Sequence, residues 1–363
     1  MPEGPEVETV RQMLLPHIIG VQINSLDIRL PRLISFHVPL SQSFPQDDDK
    51  PFDWKNLPSP SASPDLLQTL SGQALLNLTR KGKYLIFIFN PSEIVVHLGM
   101  TGSLTWVPDP DYKSKDVSKK NKALKKPNSS PFYRSLTGWE IPLGPFQPDQ
   151  HTHFILKSSR GTLLYRDPRT FGKIMIFPKG ASAFHPRLAK LGPDPLTLST
   201  LKLYQYLCLK AGITPLLNPS SSQKTKQDKA YILPQLQRTS MRPVKMALLD
   251  QELITGVGNI YADESLFRAG IHPATAFTSL SGAQIHKLSK AIRSALKQGI
   301  KYSGTTFSDY RHPDGGKGQN QERLLVYGRA SSPCPTCKKP LEKIVLGGRG
   351  TVFCSVCQNP KGK

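Results

Sequence analysis

The residues best suited to chemistry stand at the two ends of the 363-residue chain. Pro2 follows Met1, and aminopeptidases remove a methionine that precedes a small residue, so Pro2 is expected to carry a free secondary amine. A terminal amine titrates near about 8, well below lysine, so a useful fraction is uncharged and nucleophilic at neutral pH. Such an amine can attack a sugar C1′, displace the base and leave an iminium. The iminium acidifies the C2′ proton, and elimination of the phosphates can follow. Glu3 and Glu6 are three apart, so a helix can set both on one face beside that amine, where one could protonate the sugar ring oxygen and shuttle protons. Taken alone, Met-Pro-Glu is also what a helix start favours on dipole grounds, and the triplet by itself leaves that plain reading open.

The other end carries four of the five cysteines. Cys334-Pro-Thr-Cys337 and Cys354-Ser-Val-Cys357 are separated by sixteen residues. Two such knuckles can aim four thiolates at one ion in a tetrahedron, the four-cysteine zinc pattern. With four protein ligands no position stays open for water, so the zinc is expected to be structural. The few dozen residues around it cannot build a core, so the metal would supply the folding energy. Between the pairs, Leu346-Gly-Gly-Arg-Gly-Thr351 has the character of a hairpin tip presenting Arg349. That guanidinium could grip phosphates bidentately or be an ordinary exposed turn arginine. Cys208, alone in a leucine-rich helical stretch, is expected to be a buried, inert thiol.

These groups need elements to position them. Val7, Val10 and Leu14 predict a helix over 5–19, ended by Gly20. Strand-like runs follow at Tyr84 to Phe89, Glu93 to Leu98, Phe154 to Lys157, Thr162 to Tyr165 and Lys173 to Phe177, a meander suited to a β-sandwich. After residue 240 the pattern turns helical. Met246 to Leu253 leads into Thr255-Gly-Val-Gly-Asn259, then Ile260 to Ala269. A longer helix begins at Ser281 with capping-box spacing to Gln284, and Ile285, Leu288, Ile292, Leu296 and Ile300 form its apolar stripe. Three Pro/Ser/Lys-rich segments, 36–64, 108–150 and 214–240, read as insertions or linkers. Lys plus Arg outnumber Asp plus Glu 48 to 26, a net charge of +22. That excess predicts a polyanionic partner, and nucleic acid fits best because phosphate neutralisation releases counterions. No stretch has the length of a membrane span and the N-terminus lacks a signal-peptide core, so a cytoplasmic protein with access to the chromosome is expected, without membrane contact.

Met1-Pro-Glu-Gly-Pro-Glu-Val-Glu-Thr-Val10 resembles the opening of formamidopyrimidine-DNA glycosylases. Further matches follow in family order: Lys81-Gly-Lys-Tyr84, His97-Leu-Gly-Met-Thr-Gly102, Asp167-Pro-Arg-Thr-Phe-Gly172, Thr255-Gly-Val-Gly-Asn-Ile-Tyr-Ala262, Val326-Tyr-Gly-Arg329 and the cysteine module. The resemblance implies a monomeric enzyme that excises formamidopyrimidines and 8-oxoguanine from duplex DNA and then nicks the strand. By motif, Pro2 resembles the nucleophile, Glu3 the proton donor and Glu6 a supporting carboxylate. Lys83 resembles the lysine that approaches the damaged nucleotide and its phosphate. Met100 looks like the wedge that fills the gap left by the extruded nucleotide, Arg169 the residue that faces the orphaned cytosine, and Phe171 the ring that stacks into the kinked step. Base extrusion and apolar insertion make physical sense together, although an isolated Met or Phe is more commonly core. Asn259 and Arg349 look like phosphate ligands, and 303–322 resembles the loop that closes over the flipped base.

The implied architecture is α+β and multidomain: an N-terminal β-sandwich with a flanking helix (2–195), a helical helix–two-turn–helix domain (196–322) and a four-cysteine zinc finger (323–363). Two rivals share parts of the pattern. The endonuclease VIII family has the same N-terminal residues, helical motif and zinc finger but prefers oxidised pyrimidines. A non-catalytic zinc-ribbon DNA-binding protein would need the charge, helices and cysteines but neither Pro2-Glu3 nor Lys83.

Overall fold

The computed structural model describes residues 1–36, 70–109, 132–134, 140–142, 148–215, 242–307 and 310–359. Most of the three expected insertions therefore lies outside the described residues. The chain forms two compact units. The first comprises Met1–Pro2, Glu6–Ala189 and Thr305–Gly318; the second comprises Glu3–Pro5, Lys190–Gly304 and Gln319–Lys363.

Two sheets dominate the first unit. Strands β1 (Ile23–Ile28), β2 (Ile34–Phe36), β3 (Asn77–Lys81), β4 (Tyr84–Ile88), β5 (Ser92–His97), β6 (Ser103–Pro108), β7 (Phe132–Arg134), β8 (Glu140–Pro142), β9 (Thr152–Ser158), β10 (Gly161–Arg166) and β11 (Lys173–Pro178) follow the first helix, α1 (Gly4–Ile18). One sheet has the order β1-β9-β10-β6 and the other β2-β11-β5-β4-β3, while among the described residues β7 pairs with β8 alone. Leu104, Trp106, Phe154, Leu156 and Leu163 from the first sheet share one buried cluster with Leu78, Leu85, Phe87, Ile94, Val96, Ile174 and Ile176 from the second. This is the expected sandwich, but not a simple meander. Only β3-β4-β5 runs as one; the chain then crosses to the other sheet at β6, and β11 returns between β5 and β2, parallel to β2. Helix α1 contributes Val7, Val10, Leu14 and Ile18 to the same core, so the chain start is fixed by apolar burial.

The second unit is helical, with a hairpin at its C-terminal end. After a single turn at Pro186–Ala189 (α2), which belongs to the first unit, come α3 (Thr200–Lys210), α4 (Val244–Leu249), α5 (Asn259–Ala269) and α6 (Gly282–Lys301). In the Ser281 capping box, the Ser281 hydroxyl accepts the Gln284 backbone N–H and the Gln284 side-chain Oε1 accepts the Ser281 N–H. Ile285, Leu288, Ile292 and Leu296 are buried as expected, whereas Ile300 is half-buried. Helix α4 starts earlier and ends sooner than the apolar run suggests. The Asp250 carboxylate accepts the Glu252 N–H at 3.0 Å, a local bond that competes with helix continuation. Cys208 is wholly buried, and burial pushes its thiol up to about 11, as an inert core cysteine should behave. The hairpin of β12 (Glu342–Leu346) and β13 (Arg349–Phe353) closes the second unit.

Candidate functional site

In the second unit, the buried Glu3 carboxylate caps helix α5. It accepts the N–H of Ile260 at 2.9 Å and of Tyr261 at 3.4 Å. Helix α5 has no capping side chain of its own, because its cap position is Gly258. A Cβ at Gly258 would overlap the Glu3 carboxylate, so the glycine creates the opening into which the acid reaches. The Gly4 N–H donates to the Gly256 carbonyl at 2.8 Å, and Gly256 has φ +87, a conformation glycine adopts without strain. The Thr255-Gly-Val-Gly-Asn259 loop thus receives Glu3 at the positive end of a helix, where anionic groups are stabilised.

Asn259 is the first residue of α5, and its side-chain Nδ2–H donates to the Gly350 carbonyl at 3.1 Å. Gly350 follows Arg349, which is exposed beside the two-residue turn Gly347–Gly348. Both turn glycines have positive φ, +53 and +74, as a tight hairpin turn requires. Asn259 and Arg349 are therefore brought together through one backbone carbonyl. Beneath them lies a pair that the sequence reading missed. Lys245 and Asp263, neither exposed, form an ion pair at 2.7 Å. The Lys245 ammonium also donates to Gly350 O at 3.0 Å and Thr351 Oγ1 at 2.8 Å, while Asp263 accepts the Val352 N–H at 3.0 Å. Burial pushes the Asp263 carboxyl up to about 6 and pulls the Lys245 ammonium down, which is the cost of bolting the hairpin to helices α4 and α5 with buried charge. A lone lysine inside the apolar run Val244-Lys-Met-Ala-Leu-Leu249 was the available signal.

The four cysteine sulfurs lie within 4.8 Å of one another, with Cys334 and Cys357 sulfurs at 3.8 Å and Cys337 and Cys354 at 3.4 Å. Zinc–thiolate bonds of about 2.3 Å in a tetrahedron require sulfurs about 3.8 Å apart, so the set fits one structural zinc ion. The apolar cluster around it is small, Phe267, Val326, Leu341 and Val352 with two of the cysteines, in keeping with metal-dependent folding.

In the first unit Pro2 is buried at the start of the chain. The Glu6 carboxylate accepts the Thr305 N–H at 2.8 Å, and the Glu6 backbone carbonyl accepts the Tyr310 hydroxyl at 3.1 Å. Tyr310 sits in the sandwich core, and Trp106 N–H donates to the Pro313 carbonyl at 3.0 Å. The 305–318 segment is therefore anchored to the first unit by Glu6 and Tyr310, an arrangement the sequence reading did not foresee. Lys83 stands in the two-residue loop between β3 and β4, after Gly82 at φ +57. Arg80 links the Gly82 carbonyl, at 2.7 Å, to the Glu8 carboxylate of α1, at 2.9 Å. Lys83 is 6% exposed.

His97 feels that lysine. Burial first, then the Lys83 and Arg187 charges, pull its imidazole down to about 4. Its Nδ1 accepts the Gly99 N–H at 3.2 Å, which only the neutral ring can do. An imidazole that protonates near 6.5 unfolded but near about 4 folded makes the unfolded state bind more protons in that window. Stability is therefore full above the unfolded value and falls as pH drops through the window. Urea unfolding is expected to show wild type losing about 2–3 kcal/mol more than His97→Gln between pH 7 and 4.5; equal losses would contradict it.

Met100 and Phe171 are surface residues, 38% and 51% exposed, not core. The Arg169 guanidinium lies 4.7 Å from the Phe171 ring centroid. The loops carrying them touch backbone to backbone, for a Cβ on Gly99 would come within 2.6 Å of Gly172 N and Phe171 C. No helix among the described residues is long and apolar enough to cross a membrane.

Comparison with known proteins agrees with this layout. Residues 1–174 match the formamidopyrimidine-DNA glycosylase N-terminal domain, 217–311 the H2TH domain of the same enzymes, and 331–360 the zinc finger found in FPG and IleRS. The formamidopyrimidine-DNA glycosylase of Neisseria meningitidis is 33% identical over 359 residues, covering 99% of this chain and 100% of that one. The crystal structure of the Fpg protein from Thermus thermophilus superposes with a TM-score of 0.66 at 30% identity, covering 98% of both chains. A Lactococcus lactis Fpg mutant, solved in complex with Fapy-dG-containing DNA, gives 0.67 at 26% identity, covering 99% of this chain and 100% of that one. Matched along nearly its full length by enzymes of that name, the chain belongs to the formamidopyrimidine-DNA glycosylase family.

Proposed function

We propose that this DNA glycosylase removes oxidised purines, formamidopyrimidines and 8-oxoguanine, from duplex DNA as a monomer and then cleaves the resulting abasic site. The Lactococcus lactis relative bound to Fapy-dG-containing DNA supports that substrate class. On this reading the sandwich domain (2–195) carries the chemistry, and the helical domain (196–322) and zinc finger (323–363) grip the backbone. Loss of Met1 frees the Pro2 amine. Its lone pair attacks C1′ and the base leaves, taking up the proton that the amine gives up; Glu3 supplies the proton that opens the sugar ring at O4′, so an iminium joins Pro2 to the sugar. The iminium acidifies the C2′ proton, a base removes it, and β- then δ-elimination release the 3′ and 5′ phosphates. Glu6 supports the site through the 305–318 segment, and Lys83 meets the nucleotide phosphate. Asn259 and Arg349 bind phosphates, while Met100, Arg169 and Phe171 occupy the gap left by the flipped nucleotide. In the cell such an enzyme works in the compartment that holds the DNA.

The observation that carries the reading is Glu3: the acid next to the amine is buried and held by two N–H groups at a helix start. Glu3→Gln keeps an acceptor for that helix but cannot donate the proton. It is expected to bind an 8-oxoguanine duplex like wild type and excise the base about 10²–10⁴-fold more slowly in single turnover. Excision within about twofold of wild type would overturn the assignment.

A further inference from the structure

Asp167 is wholly buried, yet it touches nothing that the proposed chemistry uses. Its carboxylate instead joins two loops. Oδ1 accepts the Thr101 hydroxyl, and Oδ2 accepts the Gly172 N–H at 2.7 Å and the Tyr165 hydroxyl at 3.1 Å. Its backbone carbonyl accepts the His153 Nε2–H at 2.9 Å and the Thr170 N–H at 3.1 Å. Thr101 Oγ1 in turn accepts the Arg169 N–H at 3.3 Å. One carboxylate thus connects residue 101, beside Met100, with residues 169 and 172, on either side of Phe171.

The remaining geometry leaves these loops no slack. Thr170 sits at φ +54, a left-handed conformation costly for a β-branched residue and kept only where the surroundings impose it. A Cβ at Gly102 or Gly172 would run into the Tyr165 hydroxyl, so both glycines are what allows the tyrosine to reach Asp167. Buried hydrogen-bond networks in which every member is satisfied are stiff, because each unmade bond leaves a desolvated polar group behind. At the rim of this network Met100, Arg169 and Phe171 are exposed, with Arg169 stacked on Phe171.

We infer that Asp167 is a positioning residue that locks the Met100 and Arg169–Phe171 loops into one rigid unit, and that this lock sets the preference for the base opposite the lesion. The inference rests on the reading above, in which Arg169 faces the orphaned cytosine. A guanidinium held in one hydrogen-bond geometry before binding discriminates between bases more strongly than one free to adapt. Once the tether to the Arg169 backbone is cut, the side chain can follow a wrong base as readily as the right one.

The test compares single-turnover excision of 8-oxoguanine opposite cytosine and opposite adenine. Because unfolded or inactive enzyme lowers both rates equally, the ratio isolates positioning from stability. Thr101→Val removes only the hydroxyl between Asp167 and Arg169, and the cytosine preference is expected to fall at least about fivefold. Thr101→Ser, which keeps the hydroxyl, is expected to retain the wild-type ratio. Asp167→Asn, which cannot accept at both positions, should fall at least as far as Thr101→Val; if it does not fold, the threonine pair still decides. Unchanged preference in Thr101→Val would overturn the inference, as would equal loss in Thr101→Ser. Arg169→Ala separates the two levels. If it abolishes the preference while Thr101→Val does not, the lock fails and the reading of Arg169 stands. If Arg169→Ala keeps the preference, that reading fails and the inference falls with it.

Discussion

Pro2→Gly will bind a duplex carrying 8-oxoguanine with wild-type affinity and cleave it at least about a hundredfold more slowly, a barrier increase of about 2.7 kcal/mol. Met1 is removed ahead of glycine as it is ahead of proline, so the variant keeps a terminal amine. What changes is the amine itself. Proline presents a secondary nitrogen in a ring that blocks rotation about its N–Cα bond, and its condensation with the sugar gives an iminium that is charged without any further proton. Glycine gives a neutral imine, which must be protonated before it can withdraw electrons, and its free rotation costs orientation at the moment of attack. Pro2 is held in place because helix α1 starts only two residues later and is buried through Val7, Val10 and Leu14. A gel-shift titration and a strand-cleavage time course on one labelled duplex separate the two effects. Equal cleavage by the variant would remove Pro2 from the mechanism.

Stripping the zinc will unfold the C-terminal hairpin and weaken duplex binding at least about tenfold. The four sulfurs are the main tie within residues 331–359, because the apolar cluster beside them is too small to stand alone; structural zinc in such modules supplies about 10–16 kcal/mol of apparent binding energy. When the hairpin goes, Arg349 loses its turn, and a charge-assisted bond to phosphate is worth about 1.5–3 kcal/mol. The damage extends further, since Gly350 and Thr351 are the partners of the buried Lys245 ammonium and Val352 of Asp263. Their loss leaves a buried ion pair short of hydrogen bonds, which is expensive. Amide exchange before and after treatment with a strong chelator reads this directly: protection over 342–353 should disappear and return when zinc is restored. Protection that survives chelation would show that the module folds without metal.

Much of this architecture could be read from residue order, because the signals are local. The cysteine knuckles, the Ser281 capping box, the stripe from Ile285 to Leu296 and the apolar strands Tyr84–Ile88 and Lys173–Pro178 each lie within one short window. Strands β1, β2, β3 and β6 were not predicted; β1 and β3, with sequences INSLDI and NLTRK, lack a regular apolar alternation, so the sheet order could not be drawn. Residue type misleads for Met100 and Phe171, since methionine and phenylalanine belong to cores by default and only their exposure sets them apart. The largest gaps are contacts between distant positions. Glu6 reaches Thr305, Glu3 reaches Ile260, and Thr101 reaches Asp167. No periodicity encodes such pairs; they exist because buried carboxylates must find donors wherever the fold brings them.

The most direct test of the central claim is borohydride trapping on a duplex with one 8-oxoguanine opposite cytosine, run beside a matching thymine-glycol duplex. Reduction converts the iminium between Pro2 and C1′ into a stable amine, so a covalent protein–DNA adduct is expected on the 8-oxoguanine strand, with Pro2 as the modified residue. Trapping chiefly on thymine glycol would place the activity with oxidised pyrimidines instead. Binding without any adduct on either duplex would contradict the amine mechanism itself.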